Sequence, residues 1–189
     1  MPMKIENLKC IKLLATDVDG VLTDGSMIFG PTGDIKIFNA QDGLGIRLAM
    51  NLGLEVAWIS GNTSEAITKR AQALRVTEVH LGQRLKSVIL RDIAERKGLS
   101  LDEVAYIGDD LNDLPAIEIV GASFAVANAS PEVKKSADYV TKESGGHGAV
   151  REVIELILNA QGRWEEGIRA FLESLKQEQE LGATPWDVT

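Results

Sequence analysis

The chain has 189 residues, of which 44% are hydrophobic and 25% are charged, and its formal net charge is −8. One globular domain is the simplest expectation at this length, and the acidic balance argues against binding to nucleic acid or to an anionic membrane surface. The single cysteine, Cys10, excludes an internal disulfide and is expected to be a small buried side chain. Because no signal peptide and no membrane-spanning apolar run is recognised, the predicted compartment is the cytoplasm.

Short apolar segments alternate with helical patterns along most of the chain. The predicted strands are mostly rich in Val, Ile, Leu or Ala, as in strands buried on both faces, and cover residues 12–16, 55–60, 78–81, 104–108, 123–126 and 138–140. The predicted helices cover residues 43–52, 64–74, 85–94 and 148–159. This alternation predicts a parallel sheet with helices on both faces, a doubly wound α/β fold.

Two segments interrupt the alternation. Residues 26–39 contain two short apolar stretches, 27–29 and 35–38, around a Gly/Pro turn, which predicts an inserted β-hairpin. Its exposed apolar residues would need cover, which indicates a contact between subunits. The second segment begins near Gly162, so we predict one domain over residues 1–160 and a helix with a tail over residues 161–189.

The first predicted strand ends in two carboxylates one residue apart, Asp17 and Asp19, followed by Gly20. The two charges repel each other, and no Arg or Lys follows until Lys36. Proteins keep such pairs where a metal ion or a reacting phosphate compensates the charge, so the loop is predicted to do chemistry. A structural calcium loop is the alternative.

Two further features at predicted strand or helix ends suit an anion. Ser60, Gly61 and Asn62 follow the second predicted strand, where a hydroxyl and a glycine can donate hydrogen bonds to phosphate oxygens. Lys86 stands near the start of the helix 85–94, where the helix dipole and the ammonium both favour an anion. Taken singly, the Ser-Gly pair could be a turn and the lysine a solvated charge. The buried face of this helix is predicted to contain Leu85, Val88, Ile89 and Ile93.

A second acidic cluster, Asp109, Asp110 and Asp113, follows the predicted strand 104–108. On its own this cluster could simply cap a helix. Ligands of open α/β sheets collect at the carboxyl ends of the strands, so Asp109 is expected to meet Asp17, and the two carboxylates suit one Mg²⁺. Magnesium and Lys86 would then supply the positive charge that an acidic chain needs to bind an anion.

The order Asp-x-Asp-Gly-Val, Ser, Lys and Gly-Asp-Asp-x-x-Asp resembles the haloacid dehalogenase superfamily of phosphohydrolases. Residues 17–25, 41–46, 108–113 and 145–152 resemble, more narrowly, its capless 3-deoxy-D-manno-octulosonate 8-phosphate (KDO 8-phosphate) phosphatases. The match covers about residues 8 to 160. It implies a Rossmann-like fold without a cap, Mg²⁺ as cofactor, and hydrolysis of KDO 8-phosphate to KDO and phosphate in lipopolysaccharide precursor synthesis.

The resemblance also implies catalytic roles. Asp17 would attack phosphorus in line and form an aspartyl-phosphate. Asp19 would protonate the leaving sugar oxygen and later deprotonate the attacking water. Ser60 and Lys86 would bind the transferring phosphoryl oxygens, and Lys86 would restrain Asp17 before substrate arrives.

For the metal, the resemblance implies three ligands: the Asp17 carboxylate, the Asp19 backbone carbonyl and Asp109. Asp113, or its neighbour Asp110, would orient the metal shell.

Two residues depart from the family pattern. Asn62 stands where the family usually has Arg after the Ser-Gly pair, and His147 stands where it often has Arg in the second glycine-rich segment. Both changes remove positive charge where an anionic sugar acid would bind. The predicted substrate contacts are Ser60, Gly61, Asn62, Lys86 and Arg151, with a helix-surface salt bridge as the alternative for Arg151.

The family is implied to be a homotetramer in which inserted hairpins form the assembly core and a neighbouring subunit helps to close each active site. C-terminal tails can reach a neighbour's site, which gives Pro185-Trp186 a possible function beside that of a plain tail.

Three other functions are alternatives for this sequence. A phosphatase for a nine-carbon keto sugar acid 9-phosphate, of the KDN or sialic-acid type, is suggested by Asn62. A receiver domain shares the fold and the acidic pair but places its pair on an earlier strand than its phospho-acceptor. A non-catalytic oligomerisation module would not need to retain Asp17, Asp19, Lys86 and Asp109 together.

Overall fold

A computed structural model describes residues 5–31 and 33–180 of the chain. Its strands are β1 (Leu13–Thr16), β2 (Ile28–Gly30), β3 (Gly33–Ile35), β4 (Glu55–Ile59), β5 (Glu78–His80), β6 (Val104–Gly108), β7 (Ala122–Ala125) and β8 (Tyr139–Val140). Its helices are α1 (Ile5–Leu8), α2 (Ala40–Asn51), α3 (Glu65–Leu74), α4 (Lys86–Lys97), α5 (Leu114–Ile117), α6 (Pro131–Ser136), α7 (Ala149–Ala160) and α8 (Trp164–Glu180).

Six of the strands form one parallel sheet in the order β5-β4-β1-β6-β7-β8. The chain winds outwards from β1 on one side through β4 and β5, then returns and winds outwards on the other side from β6 to β8. Strands β1 and β6 are buried along their whole length, as the absence of polar alternation predicted. The doubly wound α/β fold is confirmed, and its switch point lies at β1.

The inserted hairpin is also present, but its paired strands lie closer to the turn than the predicted stretches 27–29 and 35–38. Gly30 pairs with Gly33 and Ile28 pairs with Ile35, so residues 36–38 extend beyond the paired strands. Gly33 has φ +130°, a conformation that side chains rarely adopt, and this allows the chain to turn back earlier. Within the described ranges, no second domain forms over the sheet at this insertion.

The predicted buried face of the helix 85–94 was wrong at Leu85 and Val88 but right at Ile93, which is buried, and at Ile89, which packs partly buried against the core. Leu85 is 70% exposed and Val88 is 57% exposed, whereas α4 buries Lys86, Leu90, Ile93 and Ala94. The helix begins at Lys86, whose buried side chain meets two carboxylates. A charged residue therefore lies on the inner face of α4, which the apolar pattern alone did not predict.

Smaller differences have local causes. Cys10 is exposed rather than buried, because Leu8 and Ile11 take the inward positions of the turn before β1. Two short helices, α5 and α6, were not predicted between Asp109 and β8. The start of the C-terminal helix packs against α2 and α7. The predicted contact through Pro185-Trp186 lies outside the described residues.

Candidate active site

The carboxyl ends of the neighbouring strands β1 and β6 bring the two acidic clusters together. Asp17 follows β1 and its backbone N–H donates to the Ile107 carbonyl of β6 at 3.1 Å. The loop then turns tightly, and Gly20 has φ +96°. A Cβ atom at Gly20 would lie 2.0 Å from Asp109 Oδ2. Only glycine therefore lets the Asp109 carboxylate lie against this loop.

Lys86 reaches the same point from the start of α4 and is buried. Its Nζ lies 2.9 Å from Asp17 Oδ2 and 2.5 Å from Asp113 Oδ1. Burial opposes its charge, but the carboxylates of Asp17 and Asp113 outweigh burial and raise the pKa of Lys86. The ammonium is thus a fixed positive charge in contact with the Asp17 carboxylate.

Asp113 is saturated by hydrogen bonds. Its Oδ1 accepts from Lys86 and from the Tyr106 hydroxyl at 2.6 Å. Its Oδ2 accepts from the backbone N–H groups of Asp109 at 2.8 Å and Asp110 at 3.2 Å. The carboxylate has no free oxygen to offer a metal, which supports an orienting role for Asp113 rather than direct ligation. Asp110 is exposed, and its side chain accepts from the Leu111 backbone N–H at the start of a short helical turn.

Asp17 and Asp109 have unmet electrostatic needs. Burial, together with the neighbouring carboxylates, raises the pKa of Asp17 to about 6 and that of Asp109 to about 8. Asp109 Oδ1 is buried and has no hydrogen-bond partner. Carboxylate oxygens of Asp17, Asp109 and Asp113 lie within 4.8 Å of one another, although those of Asp113 are already taken by hydrogen bonds. An all-oxygen cluster with an orphaned carboxylate oxygen fits a hard divalent cation.

Asp19 lies beside this cluster and is held by a different set of groups. Its Oδ1 contacts Lys36 Nζ at 2.5 Å. Its Oδ2 accepts from Ser60 Oγ at 3.2 Å and from Asn62 Nδ2 at 3.0 Å. The Asn62 backbone N–H donates to Ser60 Oγ at 3.0 Å, and the space beside Gly61 is open. Ser60 and Asn62 thus lie where the sequence placed them, but their side chains face Asp19.

The two glycine-rich segments, residues 41–46 and 145–152, pack against each other and against the loop that contains Asp17 and Asp19. Asp42 Oδ1 accepts from the Arg151 backbone N–H at 2.8 Å, at the first turn of α7. This contact fixes the segment before α7, where a Cβ atom at Gly145 would lie 1.7 Å from the Gly20 carbonyl oxygen. Burial raises the pKa of Asp42, although hydrogen bonds from the α7 backbone oppose the shift. The glycines permit a backbone approach that positions the Asp17–Asp19 loop.

The structure does not bring Arg151 and His147 into the set around Asp17. The Arg151 side chain pairs with Glu155 at 2.6 Å and lies over the Trp164 ring at 4.7 Å. Both residues line a separate surface groove of about 440 Å³ that also contains Glu143, Glu152 and Glu155. This acidic lining and the ion pair favour the structural alternative for Arg151 over binding of a substrate carboxylate.

Two residues of the site were missed in the sequence. Lys36 comes from the hairpin and contacts Asp19, and Tyr106 comes from the middle of β6 and contacts Asp113. The signal for Lys36 was a lone lysine between Ile35 and Ile37 in an apolar stretch. Tyr106 gave no comparable signal, because a tyrosine in a buried strand is an ordinary core residue.

Comparison with known proteins identifies relatives of this arrangement. Residues 58–154 match the family of haloacid dehalogenase-like hydrolases. The chain is 46% identical over 164 residues to 3-deoxy-D-manno-octulosonate 8-phosphate phosphatase of Escherichia coli strain K12, a match that covers 86% of each chain.

The chain is also similar to solved structures of phosphatases with this name. The enzyme of that name from Moraxella catarrhalis, in complex with magnesium ion, phosphate ion and KDO, has a TM-score of 0.85 and 40% identity, covering 88% of this chain and 97% of its own. The cobalt-bound form from Haemophilus influenzae has a TM-score of 0.82 and 40% identity, covering 86% and 98%. Among the residues described, no helix combines the length and apolarity needed to cross a membrane.

Proposed function

Because the chain belongs to the haloacid dehalogenase-like hydrolases, and among them to the 3-deoxy-D-manno-octulosonate 8-phosphate phosphatases, we propose that it hydrolyses KDO 8-phosphate to KDO and phosphate. One observation carries the proposal. The Asp17 carboxylate is buried and held by Lys86 at 2.9 Å, next to Asp109, whose Oδ1 has no protein partner. A fixed nucleophile beside a cation and an open metal position is what phosphoryl transfer requires.

In the first step Asp17 forms a bond to phosphorus while the bond from phosphorus to the sugar oxygen breaks. The product is an aspartyl-phosphate and the free sugar. Lys86 keeps the carboxylate oriented before substrate arrives and then stabilises the charge on the phosphoryl oxygens. Ser60 is buried, and its hydroxyl would turn from Asp19 to a phosphoryl oxygen.

Asp19 moves the proton in both steps. In its protonated form it donates to the leaving sugar oxygen, and the carboxylate that results takes a proton from the water that attacks the aspartyl-phosphate. The side chain is 18% exposed, compared with 6% for Asp17, so it stands on the solvent side of the nucleophile. This placement suits contact with a leaving group and with water.

We propose Asp17, the Asp19 backbone carbonyl and Asp109 as the residues that would hold Mg²⁺. The orphaned Asp109 Oδ1 and the raised pKa values of Asp17 and Asp109 support this choice. When bound, the ion neutralises the carboxylates and polarises the phosphoryl group. Asp113 fixes Lys86 and the backbone at Asp109, and Asp110 caps the turn that follows.

The residue that bears on the choice of sugar is Asn62. Asn62 provides an amide where the family usually has a cation, and this amide donates to Asp19. The rival substrate is a nine-carbon keto sugar acid 9-phosphate, which would need a different set of contacts beyond the phosphate. Both substrates present the same phosphate ester to Asp17, so the reaction does not depend on this choice.

We further propose that the chain assembles as a homotetramer through the hairpin. Five apolar side chains of this segment are exposed by 42% or more: Met27, Ile28, Phe29, Ile35 and Ile37. Such a patch is unusual on a monomer and would be covered between copies. We expect analytical ultracentrifugation to show a tetramer whose mass does not change with protein concentration. A monomeric wild-type protein would contradict the proposed assembly. The cytoplasm remains the predicted compartment, to be checked by cell fractionation.

The function is tested by release of phosphate from KDO 8-phosphate and from the nine-carbon 9-phosphate, each with Mg²⁺ and with EDTA. We expect the higher kcat/KM on KDO 8-phosphate and no turnover with EDTA. A much higher kcat/KM on the nine-carbon compound would replace the substrate, and no phosphate release from either would refute the function. Asp17→Asn serves as the blank for contaminating phosphatases.

A further inference from the structure

The second half of the hairpin presents two different faces. Along residues 33–38 exposed and partly buried positions alternate, as in a strand with one covered face. Ile35 is 54% exposed and Ile37 is 65% exposed, whereas the Lys36 side chain between them is 2% exposed. Phe38 follows on the inner face and stacks on Trp58 at 6.2 Å. The segment therefore aims one lysine at the active site.

An inward ammonium needs partners, since a buried unpaired charge is costly. Lys36 Nζ contacts Asp19 Oδ1 at 2.5 Å and Asp34 Oδ2 at 3.5 Å. The shorter contact is to the residue that lies 17 positions earlier in the chain. Asp34 shares the inner face with Lys36 and gives it a second, weaker carboxylate contact. The lysine is thus fixed between Asp34 of β3 and the loop after β1.

The two oxygens of Asp19 are held differently. Oδ1 faces Lys36, while Oδ2 faces Ser60 Oγ and Asn62 Nδ2. The partner of Oδ1 is a cationic donor, which holds that oxygen as an acceptor, whereas the partners of Oδ2 are neutral, and one of them, the Ser60 hydroxyl, can rotate and accept. The proton that Asp19 transfers is therefore placed on Oδ2, the oxygen beside Ser60.

We propose that Lys36 is a positioning residue for the reaction, which orients Asp19 so that Oδ2 gives its proton to the leaving oxygen. This inference rests on the proposed phosphatase function. As the ester bond breaks, the proton passes from Asp19 Oδ2 to the sugar oxygen, and Lys36 keeps its own protons throughout. Without Lys36, the carboxyl group can rotate, and proton transfer loses its alignment.

The test uses the full chain with Mg²⁺ and two substrates that differ in their need for an acid. A sugar alkoxide is a poor leaving group that must be protonated, whereas p-nitrophenolate leaves without a proton. In Lys36→Met we expect kcat/KM to fall about 10²-fold on KDO 8-phosphate and less than about 3-fold on p-nitrophenyl phosphate. The ratio kcat/KM is used because it reports only the steps up to departure of the leaving group.

Three further variants complete the design. Lys69→Met removes an exposed lysine that pairs with Glu65 on α3, and we expect both substrates to react as in the wild type. Lys36→Arg keeps a cationic donor and should recover most of the lost kcat/KM on KDO 8-phosphate. If Lys36→Met does not fold, Lys36→Gln replaces it, because its amide retains a donor without the charge.

The outcomes separate the inference from the function on which it rests. An equal fall on both substrates would mean that Lys36 only supports the fold of the site, and no fall on either would mean that Asp19 does not need it. Either result overturns the positioning role while the phosphatase function stands. A wild-type protein that is inactive on both substrates would refute both.

Discussion

The two halves of the active site are built in different ways. The phosphoryl half, defined here as Asp17, Lys86, Asp109 and Asp113, lies at the ends of adjacent core strands and at the start of α4. The leaving-group half, defined as Asp19, Lys36, Ser60 and Asn62, combines the β1 loop, the loop after β4 and the inserted hairpin. The residues of the first half are positioned by the sheet and the helix packed on it, whereas those of the second half also depend on the hairpin, which lies outside the sheet.

This difference separates a half that is fixed before substrate binds from a half that must rearrange. In the phosphoryl half every charge except that on Asp109 is paired within the core, so the geometry exists before any ligand binds. In the leaving-group half Ser60 hydrogen-bonds Asp19 and must change partner when a phosphate enters. We therefore expect substitutions in the first half to remove turnover. In the second half, loss of Asp19 should also stop turnover, whereas substitutions of its partners should change how much turnover depends on the leaving group.

The largest effect is expected from Asp17→Asn. The amide is nearly isosteric but cannot act as the nucleophile, so kcat should fall by at least about 10⁴-fold. The fold should survive, because the substitution removes one of several like charges; circular dichroism and a melting curve check this. Asp92→Asn, on the exposed side of α4, is the matched control and should be fully active. Appreciable turnover by Asp17→Asn would remove the distinction between the halves.

Removal of the metal should act on the phosphoryl half in a pH-dependent way. The pKa of Asp17, about 6, and that of Asp109, about 8, exceed the value of 3.8 in the unfolded chain. The folded protein thus keeps protons that the unfolded chain releases, and its stability without metal falls as pH rises from about 4 to about 8. Mg²⁺ replaces these protons, so it should raise Tm more at pH 8 than at pH 5.

The measurement is a series of thermal melts with EDTA or Mg²⁺, where Mg²⁺ at about a hundred times its Kd adds about 2.7 kcal/mol. The informative variant is Asp109→Asn, which removes the orphaned carboxylate. It should be more stable than the wild type at pH 8 with EDTA and should respond less to Mg²⁺. A metal-independent Tm in the wild type at pH 8 would contradict a cation site here.

Tyr106→Phe tests the support beneath Lys86 and should have an intermediate effect. The variant removes a buried hydrogen bond at 2.6 Å to the Asp113 carboxylate, worth about 1.5–3 kcal/mol of stability. Since Lys86 then contacts Asp113 without this second donor, we expect kcat to fall about tenfold, or about 1.4 kcal/mol. Tyr139→Phe, which removes a hydroxyl bound to Glu152, is the control and should keep full kcat. Equal activity of the two variants would exclude a role for Tyr106 in positioning Lys86.

The smallest effect is expected from Asn62→Ala, which measures how much one hydrogen bond to Asp19 contributes within the leaving-group half. Loss of its bond to Asp19 Oδ2 leaves Ser60 and Lys36 in place, so kcat should fall only about 3- to 10-fold. The control is Asn159→Ala, whose amide contacts only the exposed end of α7. A rise in KM with unchanged kcat would show instead that Asn62 binds the substrate, as its position after the Ser-Gly pair first suggested.

The sequence predicted the phosphoryl half better than the leaving-group half for a physical reason. Parallel strands place their carboxyl ends together, so Asp17 and Asp109 could be paired once β1 and β6 were recognised. Lys36 could not be paired in this way, because its contact with Asp19 depends on how the hairpin folds back over the loop. The same limit explains the partial error on α4: the apolar residues alone did not reveal that Lys86 lies on the buried face of that helix.

Asp17 is proposed to carry the phosphoryl group during turnover, and this proposal is tested by trapping the intermediate. In Asp19→Ala the aspartyl-phosphate should form from p-nitrophenyl phosphate, which needs no acid, and accumulate because the base for its hydrolysis is missing. Acid quench, borohydride reduction and peptide mass spectrometry then identify the modified carboxyl group. We expect modification of Asp17 alone, in the presence of Mg²⁺. Modification of Asp109, or steady release of phosphate with no modified carboxyl group, would contradict it.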